Sequence, residues 1–407
     1  MHYVGIDWAD MSHQVAILTA EGQCISEFEI QQTGQGFQQL SQHLNLLGAV
    51  QVNIERTDGL LIDWLIEQGH AVFVTPPRIA ARRRPRRSKD DRGDARLLAN
   101  LLRTQDEDCR PLHRHSSLVE ILLQLTRAFD QLQRQQTRVA NQLRQVLKHY
   151  YPVILELFSD VKTNIALAFL QAFPTPQAAH AVSYEQLTDF LQTQRYNHMQ
   201  RAGQIYHQLQ TLSPTATVWQ GNEHHALALA PVLQTVNQQM ARLKREILQN
   251  FARHPEASWW QALPGAGQLT APRLLALIGD NRAVFPEAEV LQAHAGTVPV
   301  TRRSGKSRTV GFRSACDKDL RKALMDFAHN SRSKSGWAAS YYYDQLARGH
   351  DKHRATRALA NRWARIIWTL WQRREMYSEA VHVANRSHKG RAAVLEPVTA
   401  AILPVLA

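Results

Sequence analysis

Apolar and polar positions along the first hundred residues change period several times, and each change predicts an element. Tyr3-Val4-Gly5-Ile6 reads as a strand, Gln14 to Thr19 as a second and Cys24 to Ile30 as a third, with Ile25, Phe28 and Ile30 its apolar members and Gly22 in the preceding turn. Phe37, Leu40 and Leu44 then recur at helical spacing. Val50 to Ile54 is a fourth strand, Leu60 to Glu67 a helix, and Ala71 to Val74 a fifth strand stopped by Pro76-Pro77. A further helix starts near Asp91 and runs through Leu97, Leu98 and Leu101.

The order β-β-β-α-β-α-β-α is that of an RNase H-like α/β domain: a three-strand meander, then two strands reached through helical crossovers. It is expected to occupy residues 1–110. A helical connector, 111–257, follows. In it Leu118, Leu122, Leu125, Phe129, Leu132, Gln136, Val139, Leu143, Val146 and Tyr150 alternate by four and three, the spacing of a coiled-coil seam with one polar member. At 1.5 Å per residue such a helix is about 50 Å long. Leu229, Leu233, Val236, Met240, Leu243 and Ile247 form a second seam, to pair with the first, with another subunit, or with both. The stretch between them, about 152–221, carries no assignable chemistry. A mainly α-helical unit spans 258–385, with Ser331 to Gly336 as a loop. Its late helix lines up Trp363, Ile367, Leu370 and Trp371 on one face, a stripe read as core rather than base-stacking, with Arg354, Arg357, Arg362, Arg365, Arg373 and Arg374 on its other sides. Residues 386–407 lack periodicity and read as a flexible tail.

Charge narrows the function. The 407 residues carry a formal net charge of +13, with a pI of about 9.9, and the excess is clustered, which points to a polyanionic partner. The densest run is Arg78, Arg82, Arg83, Arg84, Arg86, Arg87 and Lys89; like charges this close favour phosphate contact over an idle solvated loop. Cys24, Cys109 and Cys316 form no CxxC pair, so a zinc site or disulfide framework is not expected. The opening MHYVGIDWAD has no apolar signal region, and no apolar run approaches the ~18 residues of a membrane span, so a cytoplasmic protein is expected.

Four acids fall at element ends. Asp7 ends the first strand and Glu55 the fourth, neighbours in an RNase H-like sheet. Asp91 and Asp94, at i and i+3, share one face of the next helix. Converging carboxylates repel unless divalent cations that prefer oxygen ligands relieve them, and two Mg²⁺ ions there would serve phosphodiester chemistry. Asp58 and Asp63 are read as helix-start or surface acids, Asp10 ranks lower because it lies beyond the strand end, and Asp90 is an open neighbour of the set.

Toward the other end, Leu263 to Gly267 between helices reads as a helix-hairpin-helix turn, where Gly265 and Gly267 let backbone N–H groups approach a phosphate. Thr301 to Arg308 places Ser304 in a loop among Arg302, Arg303, Lys306 and Arg308. A nucleotide-binding P-loop reading fails, because its first glycine would have to stand where Val300 is, so ATP is not implied. From composition alone Ser304 is a turn residue, and Ser307 competes with it.

These blocks resemble the IS110/IS1111-type transposases. GIDWA, NIERTDG and KDDRGDARLLA look like the three motifs of that family's RuvC-like D-E-D-D domain, with Asp7, Glu55, Asp91 and Asp94 in the acidic places. Leu263-Pro264-Gly265-Ala266-Gly267, Thr270-Ala271, Ile278-Gly279-Asp280, Phe285, His294-Ala295-Gly296, Pro299, Ser304-Gly305, Leu320 to Leu324 and Ala328 are similar to its second domain. Thr297 replaces a family glycine, and Cys316-Asp317-Lys318-Asp319 replaces the usual Gly-Asn before the Leu320 block. The resemblance implies a transposase of a mobile element in a prokaryotic, nucleoid-associated setting. It makes Ser304 the nucleophile of a phosphoserine link to DNA, with the four cations around it stabilising phosphoryl charge. It implies donor and target DNA, a structured guide RNA, and a homo-oligomer (dimer or tetramer) with composite sites. A RuvC-like nuclease using water, and a non-catalytic nucleic-acid scaffold, are the alternatives.

Overall fold

The structure, a computed structural model, describes residues 1–84, 90–211, 220–305 and 307–387, so most of the 386–407 segment lies outside it. Two compact units divide between Arg114 and His115.

The first unit is a mixed α/β sheet with helices. Its strands are β1 (His2–Trp8), β2 (Ser12–Leu18), β3 (Cys24–Gln31), β4 (Val50–Ile54), β5 (Ala71–Val74) and the short β6 (Arg110–Pro111), in spatial order β3-β2-β1-β4-β5-β6. The first three form the antiparallel meander, and β4 and β5 join β1 in parallel. Helices α1 (Gly34–Asn45) and α2 (Leu60–Glu67) make the crossovers, and α3 (Pro77–Arg83) and α4 (Asp91–Arg103) follow β5. Apolar side chains from one face of the central strands, Val4, Ile6, Val52 and Ile54, meet Leu40 and Leu61 in the core. Helix α4 packs on the other face, against β1. There Gly5 has no side chain to hold it off: a Cβ would lie 2.0 Å from the Ala95 carbonyl oxygen and 2.4 Å from the Ala99 nitrogen. The arginine run begins as α3; Arg86, Arg87 and Lys89 lie outside the described residues.

The second unit is helical. α5 (Ser117–Tyr150) and α11 (Gln220–Ala252) pack along each other, and their shared cores make the pair antiparallel. Val119, Leu122 and Phe129 meet Ile247 and Phe251 at one end, whereas Leu143 and Leu147 meet Ala226, Ala230 and Leu233 at the other. Midway, where fewer apolar side chains are buried, Gln136 Nε2 donates to Asn237 Oδ1 at 2.7 Å, and Asn237 in turn donates to the Lys162 carbonyl at 2.8 Å. The buried positions of α5 drift off the strict four-three seam: Val119, Thr126, Ala140 and Leu147 are buried, while Leu118, Leu125 and Leu132 are only partly covered. A straight helix of 3.6 residues per turn drifts in this way against a 3.5-residue repeat.

Between α5 and α11, where no chemistry was assignable, stand α6 (Ile154–Leu157), α7 (Asn164–Ala172), α8 (Pro176–His180), α9 (Tyr184–Thr193) and α10 (Ala202–Gln210). Beyond α11 come α12 (Ala257–Gln261), α13 (Thr270–Ile278), α14 (Ala288–His294), the hairpin β7 (Val300–Ser304) and β8 (Ser307–Gly311), then α15 (Lys318–Ser331), α16 (Gly336–Ala347), α17 (Lys352–Arg373) and α18 (Glu379–Ser387). Residues 386 and 387 thus belong to a helix rather than to a tail. Trp363 and Trp371 are fully buried, so the tryptophan stripe of α17 is core.

Candidate metal centre and serine hairpin

In the first unit, carboxylate oxygens of Asp7, Asp91 and Asp94 all lie within 4.8 Å of one another. Two local features assemble them. The absent Cβ of Gly5 lets α4 sit directly on β1, which brings Asp94, the residue before Ala95, beside the end of the strand that carries Asp7. Asn53 then ties β4 to its neighbours: its amide donates to Thr75 Oγ1 at 2.9 Å and to the Leu98 carbonyl at 2.8 Å, fixing α4 over the parallel strands. Sequence reading missed this buried asparagine, although a polar residue inside the apolar β4 run was its signal.

Glu55 belongs to the same edge. In the parallel register Ile6 pairs with Ile54, so Asp7 and Glu55 each follow a paired residue. Adjacent strands are about 4.8 Å apart. Glu55 stands outside the tight oxygen triplet, and one of its carboxylate oxygens is buried. Asp90 takes a different part: it is the N-cap of α4, its side chain accepting from Gly93 N–H at 3.3 Å. Asp63 pairs with Arg114 and Asp58 with Arg56, as surface and helix-start acids do.

Asp94 is 3% exposed. Arg84 grips it with two charge-assisted hydrogen bonds, Nε to Oδ1 and Nη2 to Oδ2, each 2.5 Å. That bond, and then the fields of Asp94, Glu55 and Asp7, hold the Arg84 guanidinium above its ordinary pKa. Arg83 pairs with Asp106 at 3.1 Å and Asp108 at 3.4 Å. Of the run expected to contact phosphate, Arg84 therefore serves the acidic centre and Arg83 a surface ion pair, while Arg82 is exposed. Three clustered carboxylates beside a fourth offer the hard, anionic oxygen donors that Mg²⁺ prefers, so the residues present fit a divalent cation.

In the second unit, the stretch expected as a cationic loop is an antiparallel hairpin. Ser304 and Ser307 pair at its closing rung, Arg303 faces Arg308 across the next, and Val300 faces Gly311 at the open end. Both serines are exposed, and neither hydroxyl makes a hydrogen bond among the described residues. Lys306 and the side chains of Arg302 and Arg308 lie outside the described set.

The two glycines of the Leu263 block stand in different surroundings. Gly265 has φ +87°, and a Cβ there would come within 2.7 Å of the Ser331 backbone nitrogen. Close packing against the end of α15 is thus a reason for glycine at this position that is independent of any ligand. Gly267 has open space around it. The Ile278-Gly279-Asp280 block is likewise structural: Asp280 accepts from the Ser116 N–H at 3.0 Å and meets His254 at 3.3 Å, locking α13 to the start of α5. Thr297, in place of the family glycine, is buried and donates from its hydroxyl to Asn361 Oδ1 at 2.9 Å.

A family model for DEDD-type IS110 transposases, described as Transposase, matches residues 4–152. A second, described as Transposase IS116/IS110/IS902 family, matches residues 259–343. The candidate transposase of the IS117 mini-circle of Streptomyces coelicolor is 31% identical over 398 residues, covering 93% of this chain and 95% of that protein. The uncharacterized proteins of insertion element IS116 of Streptomyces clavuligerus and IS110 of Streptomyces coelicolor are 24% and 25% identical, over 94% and 80% of this chain and 98% and 79% of their own lengths. No helix among the described residues is long and apolar enough to cross a membrane. With both family blocks in order and a full-length relative alongside, the chain belongs to the IS110 family of insertion-sequence transposases, enzymes of DNA recombination.

Proposed function

We propose that the chain cuts and rejoins DNA through a serine nucleophile assisted by Mg²⁺, with an RNase H-like (RuvC-like) first domain as the metal-binding part. The observation that carries this reading is the convergence of Asp7, Asp91 and Asp94 within 4.8 Å at the strand edge that Glu55 shares. These four acids are the proposed ligands. Two divalent ions held there would polarise the scissile phosphate and lower the pKa of the attacking hydroxyl.

Ser304 Oγ forms the new bond to phosphorus as the bond to the sugar oxygen breaks. The serine proton passes to solvent and the departing oxygen takes one up. The phosphoserine link keeps the bond energy, so attack by a sugar hydroxyl rejoins DNA without ATP. Arg303 and its neighbours Arg302, Lys306 and Arg308 meet the phosphoryl charge, and Arg82 with Arg86, Arg87 and Lys89 meets the nucleic-acid backbone. The acids and the serine belong to separate units, 1–110 and 258–385, joined by the 111–257 connector. The family resemblance adds a composite site between subunits of an oligomer and a structured RNA encoded by the element that selects donor and target DNA in the cytoplasm.

The test is denaturing electrophoresis of labelled DNA after incubation with Mg²⁺ and the co-purifying RNA. Wild type should yield a protein–DNA adduct, Ser304→Ala none, and Ser307→Ala a reduced amount. An adduct lost only in Ser307→Ala moves the nucleophile to Ser307. Metal-dependent cleavage that survives both changes without any adduct makes the enzyme a nuclease using water.

A further inference from the structure

At the open end of the serine hairpin, within the second unit, lies a cavity of about 400 Å³, within the range of small-ligand sites. The face of α17 that lines it carries Arg354, Arg357 and Asn361, spaced i, i+3 and i+7, while the opposite face of the helix (Ala355, Leu359, Trp363) is core. Arg313, just past β8, completes the cationic wall. No acidic residue lines the cavity among the described residues, and none of these three guanidiniums is ion-paired there. Asp351, the nearest acid on α17, is engaged as the helix N-cap through the Arg354 N–H at 2.9 Å. The Nε of Arg313 is buried with no hydrogen-bond partner among the described residues, a desolvated donor of the kind a bound acceptor satisfies.

The remaining wall is aromatic and amide. Phe312 is 54% exposed, and the guanidiniums of Arg321 and Arg357 lie 4.2 and 4.9 Å from its ring centre. Tyr341 also lines the cavity. Asn361 is pinned by its oxygen to the Thr297 hydroxyl, and its amide nitrogen makes no hydrogen bond among the described residues. Unpaired guanidiniums, an exposed flat ring and an undirected amide donor answer in turn to a phosphate, a base face and a base edge. A free inorganic anion would use only the first of these.

We propose that this cavity binds one unpaired nucleotide of a nucleic-acid strand, its phosphate on Arg313, Arg354 and Arg357 and its base against Phe312. The site rests on the recombinase reading above and extends it. Val300 and Gly311, which line or adjoin the cavity, are four strand positions from Ser304, or about 14 Å at strand spacing. A strand anchored at the open end of the hairpin would run along it toward the serine, and the pocket would hold it in single-stranded form.

The test uses the full-length protein in EDTA, so that no strand chemistry is needed and failure of the pocket is separate from failure of the nucleophile. The probes are a short single-stranded DNA and its RNA counterpart, each with one 2-aminopurine, the matching duplex, and the free mononucleotide. Binding should quench the 2-aminopurine. Phe312→Ala should abolish the quenching and weaken single-strand binding at least about fivefold, the loss of one base stack, with duplex binding unchanged and Phe312→Trp restoring both signals. Arg354→Gln with Arg357→Gln should reduce the magnitude of the log–log salt slope for the single strand by about 0.7, the one phosphate this site neutralises. The tighter of the DNA and RNA arms names the strand. Phe312 is exposed, so its variants should melt like wild type. Unchanged quenching in Phe312→Ala, equal losses for duplex and single strand, or displacement by the mononucleotide at the oligonucleotide's own affinity would each overturn the proposal.

Discussion

Arg84 holds Asp94 in a two-pronged grip, 2.5 Å on each side, and the acid it holds is one of three whose oxygens converge within 4.8 Å. The guanidinium supplies, from inside the chain, the positive charge that a divalent cation would otherwise bring. With a metal bound as proposed, arginine and cation would compete for one carboxylate.

The competition has a measurable consequence. Arg84→Gln should destabilise the metal-free protein by about 1–3 kcal/mol, less than a fully buried pair because Arg84 keeps 22% of its side chain exposed. The same variant should gain more thermal stability from Mg²⁺ or Mn²⁺ than wild type does, since the resident cation is gone. Melting curves with EDTA and with titrated metal measure both. An identical metal-induced shift in the two proteins would show that Arg84 and the metal do not share Asp94.

Neighbouring acids at the start of α4 should separate cleanly. Asp90 accepts from Gly93 N–H as a cap, so Asp90→Ala should cost about 1 kcal/mol of stability while leaving metal binding in place. Asp94→Asn removes a charge from the triplet and should abolish strand transfer and the metal-induced shift. Calorimetric titration of Mn²⁺ into each variant distinguishes them; metal binding lost in Asp90→Ala and kept in Asp94→Asn would reverse the assignment.

Much of the first unit could be read from pattern because its strands are apolar runs bounded by turns. Val50–Ile54, Leu60–Glu67 and Ala71–Val74 have the predicted limits, and Asp7 and Glu55 stand at strand ends where their carboxylates meet α4. The Arg84 grip was not legible, since which way one arginine in a cationic run turns depends on where α4 lies in space. The serine hairpin was hidden by its own charge. Val300, Thr301, Thr309 and Val310 lie in its two strands, a β signal that the arginines obscured. Helix α9 also had a local marker, the Ser183–Gln186 capping box, within a stretch whose apolar spacing alone looked scattered.

Acid should weaken the first unit through His13. The ring is fully buried beside β1; its Nδ1 accepts from the Ala9 N–H at 3.4 Å, and its Nε2 meets Gln32 Oε1. Burial lowers its pKa below the ordinary 6.5, because the charged ring would lose water and its acceptor role at Nδ1. Between the folded and unfolded pKa values the unfolded chain binds more protons, so stability rises with pH there. The neutral ring is accommodated in full above about pH 6.5, and stability falls as pH drops from that value toward the folded pKa. Urea midpoints at pH 7.5, 6.5 and 5.5 should decline more steeply in wild type than in His13→Gln. Parallel declines would assign the acid sensitivity elsewhere.

The placement of the acids depends most on a residue that carries no chemistry. Gly5 sits two positions before Asp7 on β1, and α4 rests so closely on it that a Cβ would meet the Ala95 carbonyl oxygen at 2.0 Å and the Ala99 nitrogen at 2.4 Å. Both are backbone atoms, so no side-chain rotation relieves the overlap; the helix itself must move. Overpacking of this kind typically costs about 1–3 kcal/mol, and the upper end applies where backbone meets backbone. The displaced helix carries Asp91 and Asp94 with it, whereas Asp7 stays on the strand, so the triplet should open. Gly5→Ala should therefore lose stability and divalent-metal binding together. Asp7→Asn, which leaves the packing alone, should lose metal binding with little change in metal-free stability. Comparing the two by melting in EDTA and by Mn²⁺ titration tests the link. If Gly5→Ala binds metal as wild type does, the contact of α4 with β1 is not what assembles the acids.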